Sequence, residues 1–232
     1  MQPIGCTLAR VTSQGPSSFA IDALSGAGGP DAALHRAVAD IARTASIRWT
    51  AHSFDGPYCT AVDLLRSVSD EGADPMAALG MSLKGNATQL RKDDYITMEF
   101  TMPDFPAHLQ IDYLASDGSM THLIQDDGAQ MHIMTTAGWG VLGPSRAYAP
   151  GMAVPIGQPD PKTGKGSWQV DQPFGTDMIM AYATSAPLFT ALRPADDTPA
   201  AYYRDLQAAL AALRVRGGRV AGSALLLATT PK

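Results

Sequence analysis

The sequence predicts an α+β protein. A small strand–helix unit comes first, followed by a β-rich sandwich- or barrel-like part that closes with a helix and a strand. Three observations predict this. Gly 22 and Pro 17 among 232 residues make the chain turn-rich, which favours strands over a helical bundle. Several short runs alternate between apolar and polar residues with a period of two. Three stretches carry apolar residues at helical spacing behind a start signal.

The elements follow in order. Residues 7–11 alternate as a strand and Gln14-Gly15-Pro16 turns the chain. Phe19, Ile21 and Leu24 then form a second strand ending at Ser25-Gly26. Pro30 and Asp31 open an amphipathic helix with Leu34, Val38 and Ile41 inward. Proline costs no hydrogen bond in a first turn, and aspartate there suits the positive end of the helix dipole. Ile47 to Ser53 returns as a strand, Asp55-Gly56-Pro57 breaks it, and Cys59 to Val68 reads as a helix with Val62, Leu65 and Val68 inward. A linker rich in Ser, Asp, Glu and Gly covers residues 69–75, which sets a domain boundary between about 69 and 79 and divides the chain into residues 1–72 and 73–232.

The second part is β-rich. Ala78 to Leu83 is a short strand, and residues 94–102 alternate with Ile96, Met98, Phe100 and Met102 on one face. Pro103 and Pro106 force the chain out of the sheet, because proline has no ladder donor. Leu109 to Ala115 and Met120 to Ile124 flank Ser116-Asp117-Gly118, a hairpin signal because Asp and Gly tolerate positive φ. Gly138 to Gly151 reads as a loop carrying Trp139, Arg146 and Tyr148. Residues 152–156 make a strand, 159–166 an exposed loop with two lysines, and 178–184 a buried strand. Thr198 caps the last helix with Pro199 at its first position, and Tyr203, Leu206, Leu210 and Leu213 form its inner stripe. Gly217-Gly218 stops it before a core strand over 220–229.

With 45% hydrophobic and 17% charged residues the chain can bury a core, and general disorder is excluded. A formal charge of -5 without any Lys/Arg run argues against nucleic acid. No apolar stretch approaches the roughly 20 residues of a membrane-spanning helix. Met-Gln-Pro-Ile-Gly-Cys lacks the regions of a signal peptide, and Met1 abuts the first strand. A piece of a longer protein, or a mature form, is therefore expected. Cys6 and Cys59 allow one intramolecular pairing: free buried thiols in the cytosol, or a disulfide after export.

Motifs for chemistry are sparse. Gly26-Ala27-Gly28-Gly29 lacks the Gly-Lys-Ser/Thr of a phosphate loop, and Gly143-Pro144-Ser145-Arg146 is not a nucleophile elbow. Cys59 beside His52 is a conceivable thiolate pair, but Cys59 opens a helix that buries Leu65, so a structural cysteine is expected. His122, Asp126, Asp127 and His132 place two imidazoles and carboxylates on neighbouring strands, yet a spacing of ten without a short His pair is poor metal spacing. Asp112 and Asp117 flank the hairpin tip, where turn formation accounts for aspartate. Trp139, Arg146 and Tyr148 suit recognition of an anionic or flat ligand.

A set of spaced motifs carries a resemblance: Asp94-Tyr95-Ile96, Thr101-Met102-Pro103-Asp104-Phe105-Pro106, Leu109-Gln-Ile-Asp112-Tyr113, Ser116-Asp117-Gly118, His122-Leu123, Pro173-Phe174-Gly175-Thr176-Asp177 and Ala183-Thr-Ser185-Ala-Pro187-Leu188-Phe189. Over roughly residues 78–192 this resembles the bacterial Domain of Unknown Function 4384. That family sits at the end of larger proteins, behind serine/threonine kinase or caspase-like peptidase domains, and the resemblance implies a sensory, ligand-binding or docking role. The first part, from Cys6 to Leu65, is similar to a BON-like module, a small α+β fold of envelope proteins. That similarity implies export and a Cys6–Cys59 disulfide.

The expected function is thus a non-catalytic ligand- or partner-binding accessory module in the periplasm or another extracytoplasmic space, with a cytoplasmic location as the alternative. Asp112, Tyr113, Asp117, His122, Trp139, Arg146 and Tyr148 are its candidate binding residues, on the hairpin 109–124 and the loop 138–151. A protein partner or envelope ligand is expected, with no cofactor, metal or nucleic acid. An envelope or secretion-system assembly subunit is one alternative. Another is a hydrolase using Cys59 and His52, or a metal near His122 and His132.

Overall fold

A computed structural model describes residues 4–41, 44–69, 78–195 and 197–232. The chain opens with strands β1 (Thr7–Gly15) and β2 (Ser18–Gly26), paired antiparallel. Helix α1 (Gly29–Ile41) then crosses over to β3 (Ser46–Phe54), which lies parallel to β2. Parallel neighbours need such a crossover, whereas a hairpin joins antiparallel ones. Leu34 is buried and Val38 packs against Ile21 and Ala23 of the sheet; the side chain of Ile41 lies outside the described residues. Helix α2 (Cys59–Ser69) follows, and Cys59 is disulfide-bonded to Cys6 at the foot of β1.

The rest of the chain forms two further sheets. Strands β7 (His108–Leu114), β8 (Met120–Asp126), β9 (Gln130–Thr135), β10 (Gly138–Pro144), β12 (Thr176–Thr184), β13 (Val220–Thr230) and β5 (Gln89–Arg91) make a curled seven-stranded sheet in the order β10-β9-β8-β7-β12-β13-β5. Strands β4 (Gly80–Leu83), β6 (Met98–Thr101) and β11 (Ala153–Ile156) make a three-stranded sheet with β6 in the centre. Helix α3 (Pro199–Val215) connects β12 to its antiparallel neighbour β13.

Alternation along β7 and β12 divides the core in two. Ile111, Ile179 and Ala181 face the three-stranded sheet and pack with Met98, Phe100, Ile124 and Leu227. Leu114, Met178, Met180 and Tyr182 face the helices and pack with Tyr58, Leu65, Tyr202 and Leu206. Full burial of one such side chain stabilises by about 1.5–3 kcal/mol, so both clusters matter to the fold. The second cluster joins α2 to the C-terminal strands, and a Cβ at Gly222 of β13 would lie 2.7 Å from Leu65 Cδ2. Most of the expected linker 69–75, and the 72/73 boundary, lie outside the described residues.

The α+β class, the β-rich second part and its closing helix and strand are those the sequence predicts. Thr198 caps α3 by accepting from the Ala201 amide, with Pro199 at the first turn. Two local readings need correction, and one strand was not read at all. The strand expected over 94–102 is regular only over Met98–Thr101, because Tyr95 makes an isolated bridge to Gln169 and Thr97 is buried rather than outward. The loop expected over 138–151 begins as strand β10, paired to β9 through an irregularity between Val141 and Gly143. The short polar strand β5 carries no alternation to read, and only its parallel register with β13 defines it.

Candidate functional site

Three groups of polar side chains lie on the seven-stranded sheet. The most buried is under α3. Gln110 and Asp112 of β7 share the helix-facing side with Leu114, and a register irregularity in β8 brings His122 opposite Asp112. His122 Nδ1 lies 2.7 Å from Asp112 Oδ1, and Gln110 Nε2 donates to the same oxygen at 2.8 Å. The Tyr202 hydroxyl of α3 donates to Asp112 Oδ2. Asp112 is 0% and His122 2% exposed. Burial, and then the Asp112 charge, push the Tyr202 phenol well above its ordinary range.

The network continues into the chain before α3. Asp197 Oδ2 lies 3.6 Å from His122 Nε2 and accepts from Arg193 Nε at 2.6 Å. Arg193 also donates to Asp205 of α3 at 2.8 Å and lies over the Phe189 and Tyr202 rings. Burial acts to lower the Arg193 pKa, but Asp205 and Asp197 together raise it above its usual value. An imidazole held between carboxylates can move protons in an open cleft, but here α3 covers it. The arrangement fastens the helix to the sheet.

The second group is at the start of β7. His108 Nδ1 lies 2.7 Å from Asp126 Oδ2, and Ser145 Oγ donates to that same oxygen at 2.9 Å. These are the residue types of a serine nucleophile site, with a different wiring. Such a serine donates to the imidazole nitrogen remote from the carboxylate. Here Ser145 Oγ is 3.5 Å from His108 Nδ1, the nitrogen already engaged by Asp126. The hydroxyl donates to the carboxylate rather than to the far nitrogen of the imidazole.

Asp177 of β12 forms the third group. Its carboxylate, fully buried, accepts from the Tyr113 hydroxyl at 2.5 Å, the Ser116 amide at 2.8 Å and the Thr229 hydroxyl at 2.8 Å. These bonds tie the β7–β8 turn to β12 and β13. Burial and the hydrogen bond to Asp177 push the Tyr113 phenol far above its ordinary range.

The expected binding residues do not converge. Asp112 and His122 are sealed under α3, and Tyr113 is spent on Asp177. Tyr148 is buried and bridges Ala107, at the end of the sheet where β7 begins. Asp117 sits in the turn after β7 ends; at about 3.3 Å per residue the length of β7 separates the two. Trp139 packs edge-on to His132, and Arg146 is exposed beside Tyr148. His122 and His132 are not brought to one point, since each pairs with its own carboxylate, Asp112 and Asp127. Among the described residues no group of three His, Cys, Asp or Glu side chains is gathered as for a metal. Cys59 is bonded to Cys6 and is not a thiol here, while His52 stands 4.0 Å from Asp22.

Sequence reasoning missed Tyr202, Asp177, Arg193 and the link of His108 to Ser145. Tyr202 precedes the predicted inner-stripe Tyr203, so adjacent tyrosines were the available signal; the others depend on strands distant in sequence. Comparison with family models, with curated proteins and with solved structures gave no match.

No helix among the described residues is long and apolar enough to cross a membrane. What remains open on the large sheet is its edge. Among the described residues strand β10 borders only β9, and its Val141 and Leu142 are 58% and 50% exposed.

Proposed function

We propose that this chain is a non-catalytic, partner-binding accessory module of an oxidising, extracytoplasmic compartment. The observation that carries the reading is the wiring of its reactive groups. Cys59 is in a disulfide, Asp112 and His122 are bonded under α3, and the Ser145 hydroxyl is given to Asp126. Each of these groups is engaged in holding strands and helices together. The disulfide supports the compartment, because such bonds persist where thiols are not kept reduced. An accessory role beside an effector domain is what the motif resemblance to Domain of Unknown Function 4384 and to a BON-like module implies.

Binding is assigned to the edge of β10 rather than to the hairpin 109–124, whose central polar residues are buried. A sheet edge presents unpaired amides and carbonyls to any strand laid beside it.

Covalent probes test the non-catalytic part. The native protein is treated with a fluorophosphonate and, separately, with iodoacetamide, and adducts are located by peptide mass spectrometry. No stoichiometric adduct is expected on Ser145 or Cys59. Rapid native-state labelling of either residue would overturn the reading.

A further inference from the structure

We propose that β10 is a self-association edge: two copies of the chain pair antiparallel through β10 about a twofold axis and join their seven-stranded sheets into one. This rests on the partner-binding reading and names the partner as a second copy.

The choice of edge comes from comparing the sheet borders among the described residues. The N-terminal sheet ends on β1, which carries Arg10, and on β3, which carries Arg48 and His52. The small sheet ends on β4 and β11, each four residues long, and Pro155 of β11 lacks an amide. The far border of the large sheet is β5, only three residues. Strand β10 is seven residues, Gly-Trp-Gly-Val-Leu-Gly-Pro, without a charge. Charged residues, interior prolines and bulges are what guard edges against pairing; β10 has no charge and no proline before its final Pro144, and its one irregularity lies between Val141 and Gly143, which leaves Gly138 to Val141 in regular register.

The choice of occupant comes from charge and symmetry. In an isologous interface the same surface meets itself, so any charge on the axis meets its own copy. Like charges directly opposite are unfavourable on paired strands. An uncharged strand escapes that penalty, and a charged foreign strand would find no opposite charge along β10. Exposed Val141 and Leu142 then pack against their counterparts, and the glycines leave room for close backbone approach. Pro144 ends the pairing, because it offers no donor.

Sedimentation velocity from about 10 µM to about 1 mM, together with amide hydrogen exchange of residues 138–143, tests the proposal against the edge geometry of β-pairing. The mass is expected to move from the 24.4 kDa monomer toward twice that value as concentration rises. The exchange of β10 amides slows in parallel. Val141→Lys, at an exposed position, melts as the parent does at the dilute end of the range, where both are monomers, and stays monomeric throughout; Leu142→Lys is the second variant. A monomer throughout the range, or a dimer that both lysine variants and the β10 amides leave unmarked, overturns the proposal. The non-catalytic reading fails separately, through covalent labelling of Ser145 or Cys59, so its failure and that of the self-association proposal are distinguishable.

Discussion

The hydroxyl of Tyr202 on α3 donates to the carboxylate of Asp112 at the centre of β7, joining residues 90 positions apart in the chain. Asp112 also takes His122 and Gln110, so one buried carboxylate collects donors from two strands and a helix. A fully buried carboxylate is costly unless it is bonded in this way.

Tyr202→Phe therefore removes one donor and leaves Asp112 Oδ2 buried without it. A loss of about 1–3 kcal/mol is expected, the usual cost of a buried polar group left unsatisfied. Urea unfolding of the variant measures it, and an unchanged midpoint would show that the bond contributes nothing.

The Cys6–Cys59 bridge closes a loop with a sequence separation of 53. Chain-entropy arguments assign such a loop about 4 kcal/mol. Reduction, or Cys6→Ser with Cys59→Ser, should lower the unfolding free energy by that order and leave the far-UV spectrum below the transition unchanged.

Gly222→Ala places a methyl group 2.7 Å from Leu65 Cδ2 and 3.1 Å from Val68 Cγ2. Overpacking of this kind typically costs about 1–3 kcal/mol. A thermal melt reports it. A stability equal to that of the parent would mean that the Leu65 and Val68 methyl groups turn aside without cost, and the space beside Gly222 is not tightly packed.

Six of the seven tyrosines, Tyr58, Tyr113, Tyr148, Tyr182, Tyr202 and Tyr203, have phenols raised above the ordinary value, burial being the largest cause for each. A raised folded pKa gives stability that is complete below the unfolded tyrosine pKa of about 10 and lost as pH climbs through the folded value. Native-state absorbance at the tyrosinate band should lag the curve of the guanidinium-unfolded chain, then rise with alkaline unfolding. Superimposed curves would contradict the burial of these rings.

Local pattern carried much of the fold. Thr198-Pro199 at the start of α3, Gly217-Gly218 at its end and the alternation of Met98 and Phe100 depend on residues a few positions apart, which a single sequence displays. The site was less legible. Asp112 read as a turn aspartate and Asp177 only as the end of a motif, because their donors come from elsewhere: Tyr202 for the first, Thr229 for the second. Strand β10 was hidden for a physical reason, since a strand with three glycines and a proline has turn composition and relies on β9 for its order.

The central claim, that the module binds a partner along β10, is tested most directly by site-specific photo-cross-linking. A photoreactive amino acid is placed at Leu142, and as a control at exposed Lys162, in the chain produced in an oxidising bacterial compartment. The account predicts a defined cross-linked species from position 142 that Val141→Lys abolishes, and none of comparable yield from position 162. Equal, non-specific yields from both positions would contradict it.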